Sequence, residues 1–192
     1  MKRRPAPLVA LLLLAGCAAP GEPAPKPAGC TSGQATFGTP STGALLTGVT
    51  PVLEATTKGM TLDGAYAQIN TRTAGVRAGA EVPAEEVYRQ LATRYAEKRP
   101  LVDYGTVHHP ATGESATFHG TGRFVSYEWI RTVGVQFSYT CDGVTSEGSV
   151  TSWESGGMGG SIDCDKPDVG VKLTVDEAAM IRQVRELRCD ES

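Results

Sequence analysis

Residues 125–141 read VSYEWIRTVGVQFSYTC. The odd positions carry Val125, Tyr127, Trp129, Arg131, Val133, Val135, Phe137, Tyr139 and Cys141. The even positions carry Ser126, Glu128, Ile130, Thr132, Gly134, Gln136, Ser138 and Thr140. Successive side chains on a strand point to opposite faces, so this alternation predicts β structure with one buried face. The stretch is far longer than the usual strand of ~5–6 residues, which predicts a bend or bulge near Arg131–Gly134. Because the phase persists across that point, both halves are expected to serve one core.

Arg131 interrupts the apolar phase. A guanidinium taken out of water needs a carboxylate or several acceptors. A bulge could turn it to solvent, or an internal ion pair could hold it. The sharper alternative makes Arg131 the base for an anionic ligand, in a pocket lined with Tyr127, Trp129 and Val133.

Working outward, two helices are predicted. Pro83-Ala84-Glu85-Glu86 opens the first, with Pro at the start and acids where the helix dipole favours them. Ala84, Val87, Tyr88, Leu91 and Tyr95 recur at helical spacing, and Lys98-Arg99-Pro100 ends the element, giving a helix over about 83–98 with its tyrosines in the core. Thr174-Val175-Asp176-Glu177 is a capping box, Thr at the cap and Glu three later. Ala178, Ile181, Val184 and Leu187 form the apolar side of that second helix, and Arg182, Arg185 and Arg188 load its C-terminal half.

The remaining chain reads as strands and turns. Residues 35–57 give short strands, Lys58-Gly59 a turn, and 65–78 weak strand character. Strands are expected at 149–154 and near 161–164, joined by Gly156-Gly157-Met158-Gly159-Gly160 as a flexible loop. The fold class is α+β: an antiparallel sheet with two helices packed on one face, tied by two disulfides.

The N-terminal part has a different character. Lys2, Arg3 and Arg4 precede the apolar run Leu8–Ala15. That run is too short to cross a bilayer as a helix, which takes ~20 apolar residues. A basic start before a short apolar core is the layout of a secretion signal. The run ends in Leu14-Ala15-Gly16-Cys17, which resembles the lipobox of bacterial lipoproteins. The resemblance implies that residues 1–16 are a signal peptide and that Cys17 carries a diacylglycerol and becomes the mature N-terminus. It implies partnership with the lipid membrane and a place on the outer face of the cell membrane, since two or three acyl chains on one cysteine anchor stably.

Residues 17–29 then form a lipidated, Pro-rich tether. The segment AAPGEPAPKPAG over 18–29 has too little apolar surface to pack and favours extended chain. Its PxxP stretch, Pro20–Pro23, is a weak recognition motif lying close to the lipid. Residues 30–192 are expected to form a single globular α+β domain.

Cysteine arithmetic points the same way. With Cys17 acylated, Cys30, Cys141, Cys164 and Cys189 remain, and an even number outside the cell reads as two disulfides. If 136–141, 149–154 and 161–164 form a simple meander, Cys141 and Cys164 lie about 10 Å apart across the middle strand, beyond the ~7 Å that a disulfide spans. The favoured pattern is then Cys164–Cys189 with Cys30–Cys141; its rival is Cys141–Cys164 with Cys30–Cys189.

Charge and motifs exclude several classes. The chain has 18 bases and 21 acids. Removing 1–16 takes three bases and no acids, leaving 15 against 21, or −6. No basic stripe suggests nucleic-acid binding. No GxSxG elbow occurs: Gly113-Glu114-Ser115-Ala116-Thr117 fails at its last position. No P-loop, CxxC pair or SxxK is present, and no catalytic residue, metal ligand set or cofactor is assigned. His108 and His109 can offer at most one imidazole to a common face with His119 across an expected hairpin at Pro110–Gly113. Two function classes remain: a non-enzymatic binding or interaction domain for an unknown envelope ligand or protein, and a cell-envelope hydrolase whose site forms only in the fold.

Overall fold

The computed structural model describes residues 33–95, 99–166 and 172–190. In chain order its strands are β1 (Gln34–Phe37), β2 (Ser41–Val49), β3 (Leu53–Ala55), β4 (Met60–Ala65), β5 (Ala67–Gln68), β6 (Arg72–Thr73) and β7 (Gly75–Arg77). Helix α1 (Ala84–Tyr95) follows, then β8 (Val107–His108), β9 (Gly113–Phe118), β10 (Gly122–Cys141), β11 (Val144–Trp153), β12 (Met158–Asp163) and α2 (Val175–Val184). The fold is α+β, mostly antiparallel sheet with two helices.

The alternating stretch is the spine. β10 runs 20 residues without interruption, and each half has its own neighbours. Along one edge it pairs with β3 (Phe124↔Leu53), β2 (Tyr127↔Val49 to Gly134↔Ser41) and β1 (Phe137↔Phe37 to Thr140↔Gln34). Along the other it pairs with β12 (Phe124↔Asp163 to Trp129↔Met158) and β11 (Thr132↔Trp153 to Cys141↔Val144). All of these pairings are antiparallel.

β11 and β12 therefore run end to end along one edge of β10. This overturns the expected meander, in which β11 would have lain between its neighbours. The Gly-rich segment is correspondingly a jog at 154–157 followed by a strand, rather than a hairpin loop. A Cβ on Gly159 would fall 2.5 Å from the Tyr127 carbonyl oxygen, so the missing side chain is what admits β12 to this edge.

The irregularity in β10 also lies earlier than expected. Gly48 faces Glu128 and Leu46 faces Trp129, which leaves Thr47 as an extra residue on β2. This is a β-bulge. Thr47 is fully buried, and its hydroxyl donates to the Glu128 carbonyl at 3.1 Å. The second edge changes partner over Ile130–Arg131, where β12 gives way to β11.

One core was expected from the constant phase, and here too the structure differs. Val125, Tyr127 and Trp129 pack with Leu46, Val49, Ile162 and the Met180, Ile181 and Val184 side chains of α2. Val133, Val135, Phe137 and Tyr139 pack with Val150, Trp153 and the Val87, Tyr88 and Leu91 side chains of α1. The odd-numbered positions thus feed two clusters, with Arg131 between them. A third, smaller cluster lies on an even position of β10. Phe124 stacks on Phe118 at 4.3 Å, beneath the two-stranded β4–β9 ribbon with Leu53, Met60, Leu62 and Ala116.

Both helix starts hold, while 96–98 at the expected end of the first helix lie outside the described residues. The α2 capping box has both of its reciprocal bonds: the Glu177 amide donates to Thr174 Oγ1 at 3.2 Å, and the Thr174 amide donates to the Glu177 carboxylate at 2.8 Å. Past Val184 the helix widens into a π turn, Arg185–Cys189. Cys189 is joined there to Cys164, with Cα atoms 5.3 Å apart. This pairing was expected, but the meander that supported it is absent. Cys164 stands beside Arg123 at the start of β10, its amide donating to the Arg123 carbonyl at 2.7 Å, and Cys141 ends that same strand. One disulfide of the expected two thus lies within the described residues. Cys141 is itself disulfide-bonded. Its expected partner Cys30 lies outside the described residues, as do Cys17, the signal and the tether.

Candidate functional site

Arg131, the sequence's candidate base, is occupied by carboxylates. Its guanidinium lies 3.6 Å from Asp176 at the start of α2 and 3.9 Å from Glu154 in the jog. Glu154 is buried and also accepts from Arg99 at 2.8 Å. Tyr127 and Trp129 are buried in the α2 cluster, and Val133 belongs to the α1 cluster. The ion-pair reading of Arg131 matches this geometry. None of these residues lines either of the two cavities described below.

The histidine hairpin does not form. β8, with His108, pairs with β6, while β9 pairs with β4. His108 instead meets Trp153 edge-on at 5.8 Å, and burial holds its imidazole below the usual histidine range. His109 Nδ1 lies 3.3 Å from the Gln68 amide oxygen.

Two other constellations emerge from the fold. The first is a polar cluster between the even face of β10 and a cleft lined by Asp63, Gly64 and Glu114 at one end of the β4–β9 ribbon. Glu128 rises there between Gly48 and Gly159, its two cross-strand neighbours. The Ala111 amide donates to its Oε2 at 2.7 Å. Tyr66 donates to the Glu114 carboxylate in a very short hydrogen bond. Burial, then the Glu114 bond and the charges of Glu114 and Glu128, push the Tyr66 phenol far above its usual range. Tyr66 is therefore a fixed donor and not a base. Among the described residues, neither His108 nor His109 is hydrogen-bonded to a hydroxyl, thiol or carboxylate. Among the described residues, no group of three or more His, Cys, Asp or Glu side chains is placed to hold a metal ion.

The second is an aromatic groove of about 310 Å³ between α1 and the chain just beyond it. Glu85, Tyr88, Arg89 and Ala92 line it from the helix, and Leu101, Val102, Asp103 and Tyr104 from the other side. Tyr88 is its fixed floor. That residue is 3% exposed, and its hydroxyl lies 2.6 Å from the Val102 carbonyl and 2.5 Å from Ser152 Oγ. Tyr104 meets the Tyr88 ring at 5.5 Å and 64° yet remains 43% exposed. A turn holds it there: Gly105 sits at φ +78°, and its amide donates to the Ala74 carbonyl at 2.9 Å. Glycine adopts that backbone freely. The Asp103 charge reaches the groove floor: burial raises the Tyr88 phenol above its usual range, and Asp103 adds to that.

Sequence reasoning missed this groove. Tyr88 was read, correctly, as core. The signal for the rest was Asp103-Tyr104-Gly105 directly after the helix stop at Pro100, an aromatic ring set beside a turn glycine. No protein-family model, no curated protein and no solved structure matches the chain.

Proposed function

We propose that this chain is a lipid-anchored protein of the outer face of the cell membrane whose folded domain is a non-enzymatic binding module. The lipobox-like Leu14–Cys17 supports the anchor, and the Cys164–Cys189 disulfide suits an oxidising, extracytoplasmic compartment. A second bond, Cys30–Cys141, and both helices on one face of the sheet complete the reading of the fold.

The observation that carries the binding role is the groove. A rigid phenol forms its floor and a second ring stands half-exposed at its rim. Ligand sites are most often concave and lined with apolar and aromatic side chains beside a few polar groups. The groove's aromatic pair is stabilised by its own packing, so the exposed ring is held in place before any ligand arrives.

A photo-crosslinking amino acid tests the reading in intact cells. Placed at position 104, it should give a discrete adduct; placed at position 114 in the polar cleft, it should not. Adducts confined to position 114 would overturn it. Cys17→Ala tests the anchor: the protein should leave the membrane fraction or keep its signal. A variant still cut and still membrane-bound contradicts lipidation.

The hydrolase alternative has one observation in its favour, the Tyr66–Glu114–Glu128 constellation. Its test is release of soluble fragments from isolated envelopes, lost in Glu128→Gln.

A further inference from the structure

We infer that the Tyr88–Tyr104 groove takes the side chain of a lysine presented by a basic peptide segment of its partner; this rests on the binding reading above. Three features of the groove select that chemistry together.

The first is shape. Ala92, Leu101 and Val102 continue the apolar floor that Tyr88 begins. A lysine has a four-carbon stem that covers apolar surface while its ammonium stays at the rim. At about 310 Å³, the groove is at the small end of ligand pockets, which suits one side chain better than a large ligand.

The second is charge. Arg89, the one base on the lining, is held by Glu86 through Nε at 3.0 Å and Nη2 at 2.6 and 2.7 Å. That pair answers itself within α1. Glu85 and Asp103 remain on the rim, and no ion pair joins either of them to a base among the described residues. The rim therefore presents two carboxylates of one sign. An anionic ligand would be repelled, and a neutral one would strip water from them without return.

The third is the ring. A cation over the face of a tyrosine is attracted by its quadrupole. Tyr104 meets Tyr88 at 64° and keeps part of its ring surface in water. Asp103 lines the same groove, so ring and carboxylate are both offered to an ammonium bound there.

The test uses the full lipidated chain in detergent, with its tyrosine rings ¹³C-labelled for NMR. The probe is acetyl-Gly-Lys-Gly-amide, with the same peptide acetylated at Nε as its control. A single contact of this kind supports a dissociation constant on the order of 10 mM. The expected result is a saturable shift of the Tyr104 ring signals with the lysine peptide and none with the acetylated one. Asp103→Asn should weaken binding about two- to fivefold, Tyr104→Phe should retain it, and Tyr104→Ala should abolish the measurable affinity. Both positions are solvent-facing, and amide exchange of α1 verifies that each variant keeps the core packing.

Equal shifts with both peptides would overturn the inference, since the charge would then be irrelevant. No shift up to roughly 100 mM, ten times the expected constant, would overturn it too. Either failure leaves the binding reading standing if the position-104 crosslink still forms in cells; loss of that crosslink defeats the binding reading itself.

Discussion

Arg99, just beyond α1, donates to Glu154 at the end of β11 across 2.8 Å. This bond ties the chain after the first helix to the jog between β11 and β12. The tie is reinforced by backbone: the Ser155 amide donates to the Pro100 carbonyl at 2.8 Å, and the Glu154 amide donates to the Arg131 carbonyl at 3.0 Å. The cluster occupies the point where β10 exchanges one apolar cluster for the other.

Glu154 and Asp176 should therefore differ sharply in their contribution to stability. The Glu154 side chain is 10% exposed and faces two guanidinium groups, whereas Asp176 is 35% exposed and meets one at 3.6 Å. Removing one partner of a buried pair strands the other charge and costs about 3–5 kcal/mol, while an exposed pair contributes about 0–1 kcal/mol. Glu154→Gln keeps the shape, so a loss near 2–3 kcal/mol is expected, against less than about 0.5 kcal/mol for Asp176→Asn. Urea unfolding of the two variants checks this; equal losses would contradict the arrangement.

His108 should impose an acid limit on stability. Its ring lies against Trp153, and its Nε2 is buried without a hydrogen-bond partner. Burial lowers its pKa below the ordinary value of 6.5, an effect that Glu128 opposes and His109 assists. A histidine depressed in the fold binds fewer protons there than in the unfolded chain. Its contribution is therefore present above about pH 6.5 and lost as pH falls through the lower folded value. His108→Phe keeps an aromatic ring on Trp153 without a titrating group. Its thermal midpoint should fall less than the wild type's between about pH 7.5 and 5.5, one unit either side of the unperturbed histidine value of about 6.5; parallel profiles would refute the role.

The local signals of this chain were legible and the long-range ones were not. The Thr174–Glu177 box and Pro83 mark helix starts because capping is settled within four residues. The phase of Val125 to Cys141 reports β structure for the same reason. Which strand lies beside which depends on partners far along the chain, and Gly159 and Gly160 carry no side-chain pattern to show that β12 returns to β10. The site was hidden likewise. Tyr66 and Glu114 lie 48 residues apart, and Tyr88 and Tyr104 meet across the stop at Pro100. Arg131 was visible as an anomaly, but its partners Glu154 and Asp176 could be found only in the fold.

Gly157 in the jog and Gly159 in β12 provide a direct test of the strand assignment. A methyl at Gly159 would lie 2.5 Å from the Tyr127 carbonyl oxygen, a backbone atom that cannot rotate away. A methyl at Gly157 would lie 3.6 Å from Glu128 Oε1, an ordinary contact. Gly159→Ala is expected to cost about 2–3 kcal/mol through forced separation of β12 from β10. Gly157→Ala should stay within about 0.5 kcal/mol. If 156–160 were a flexible loop, the two substitutions would be equally mild, and differential scanning calorimetry separates these outcomes.

The Cys164–Cys189 bond closes a loop of 25 residues that contains the whole of α2. In the chain-entropy account such a cross-link removes about 3–4 kcal/mol of unfolded-state freedom. It also fixes the end of the helix to the start of β10, where Cys164 donates to the Arg123 carbonyl. The double variant Cys164→Ser, Cys189→Ser should melt roughly 10 °C lower, at about 2–4 °C per kcal/mol for a chain of this size. α2 should exchange its amides first, since what then holds it is the Met180, Ile181 and Val184 contacts, the half-exposed Asp176–Arg131 pair and the Arg185 bond to the Lys166 carbonyl. Non-reducing peptide mapping examines the connectivity independently of stability. A linked peptide containing Cys164 and Cys189 is expected, together with one joining Cys141 to Cys30. Cys141 and Cys164 stand by opposite ends of the 20-residue strand β10, a separation no disulfide bridges, so a peptide linking those two would refute the end-to-end arrangement of β11 and β12 along with the pairing.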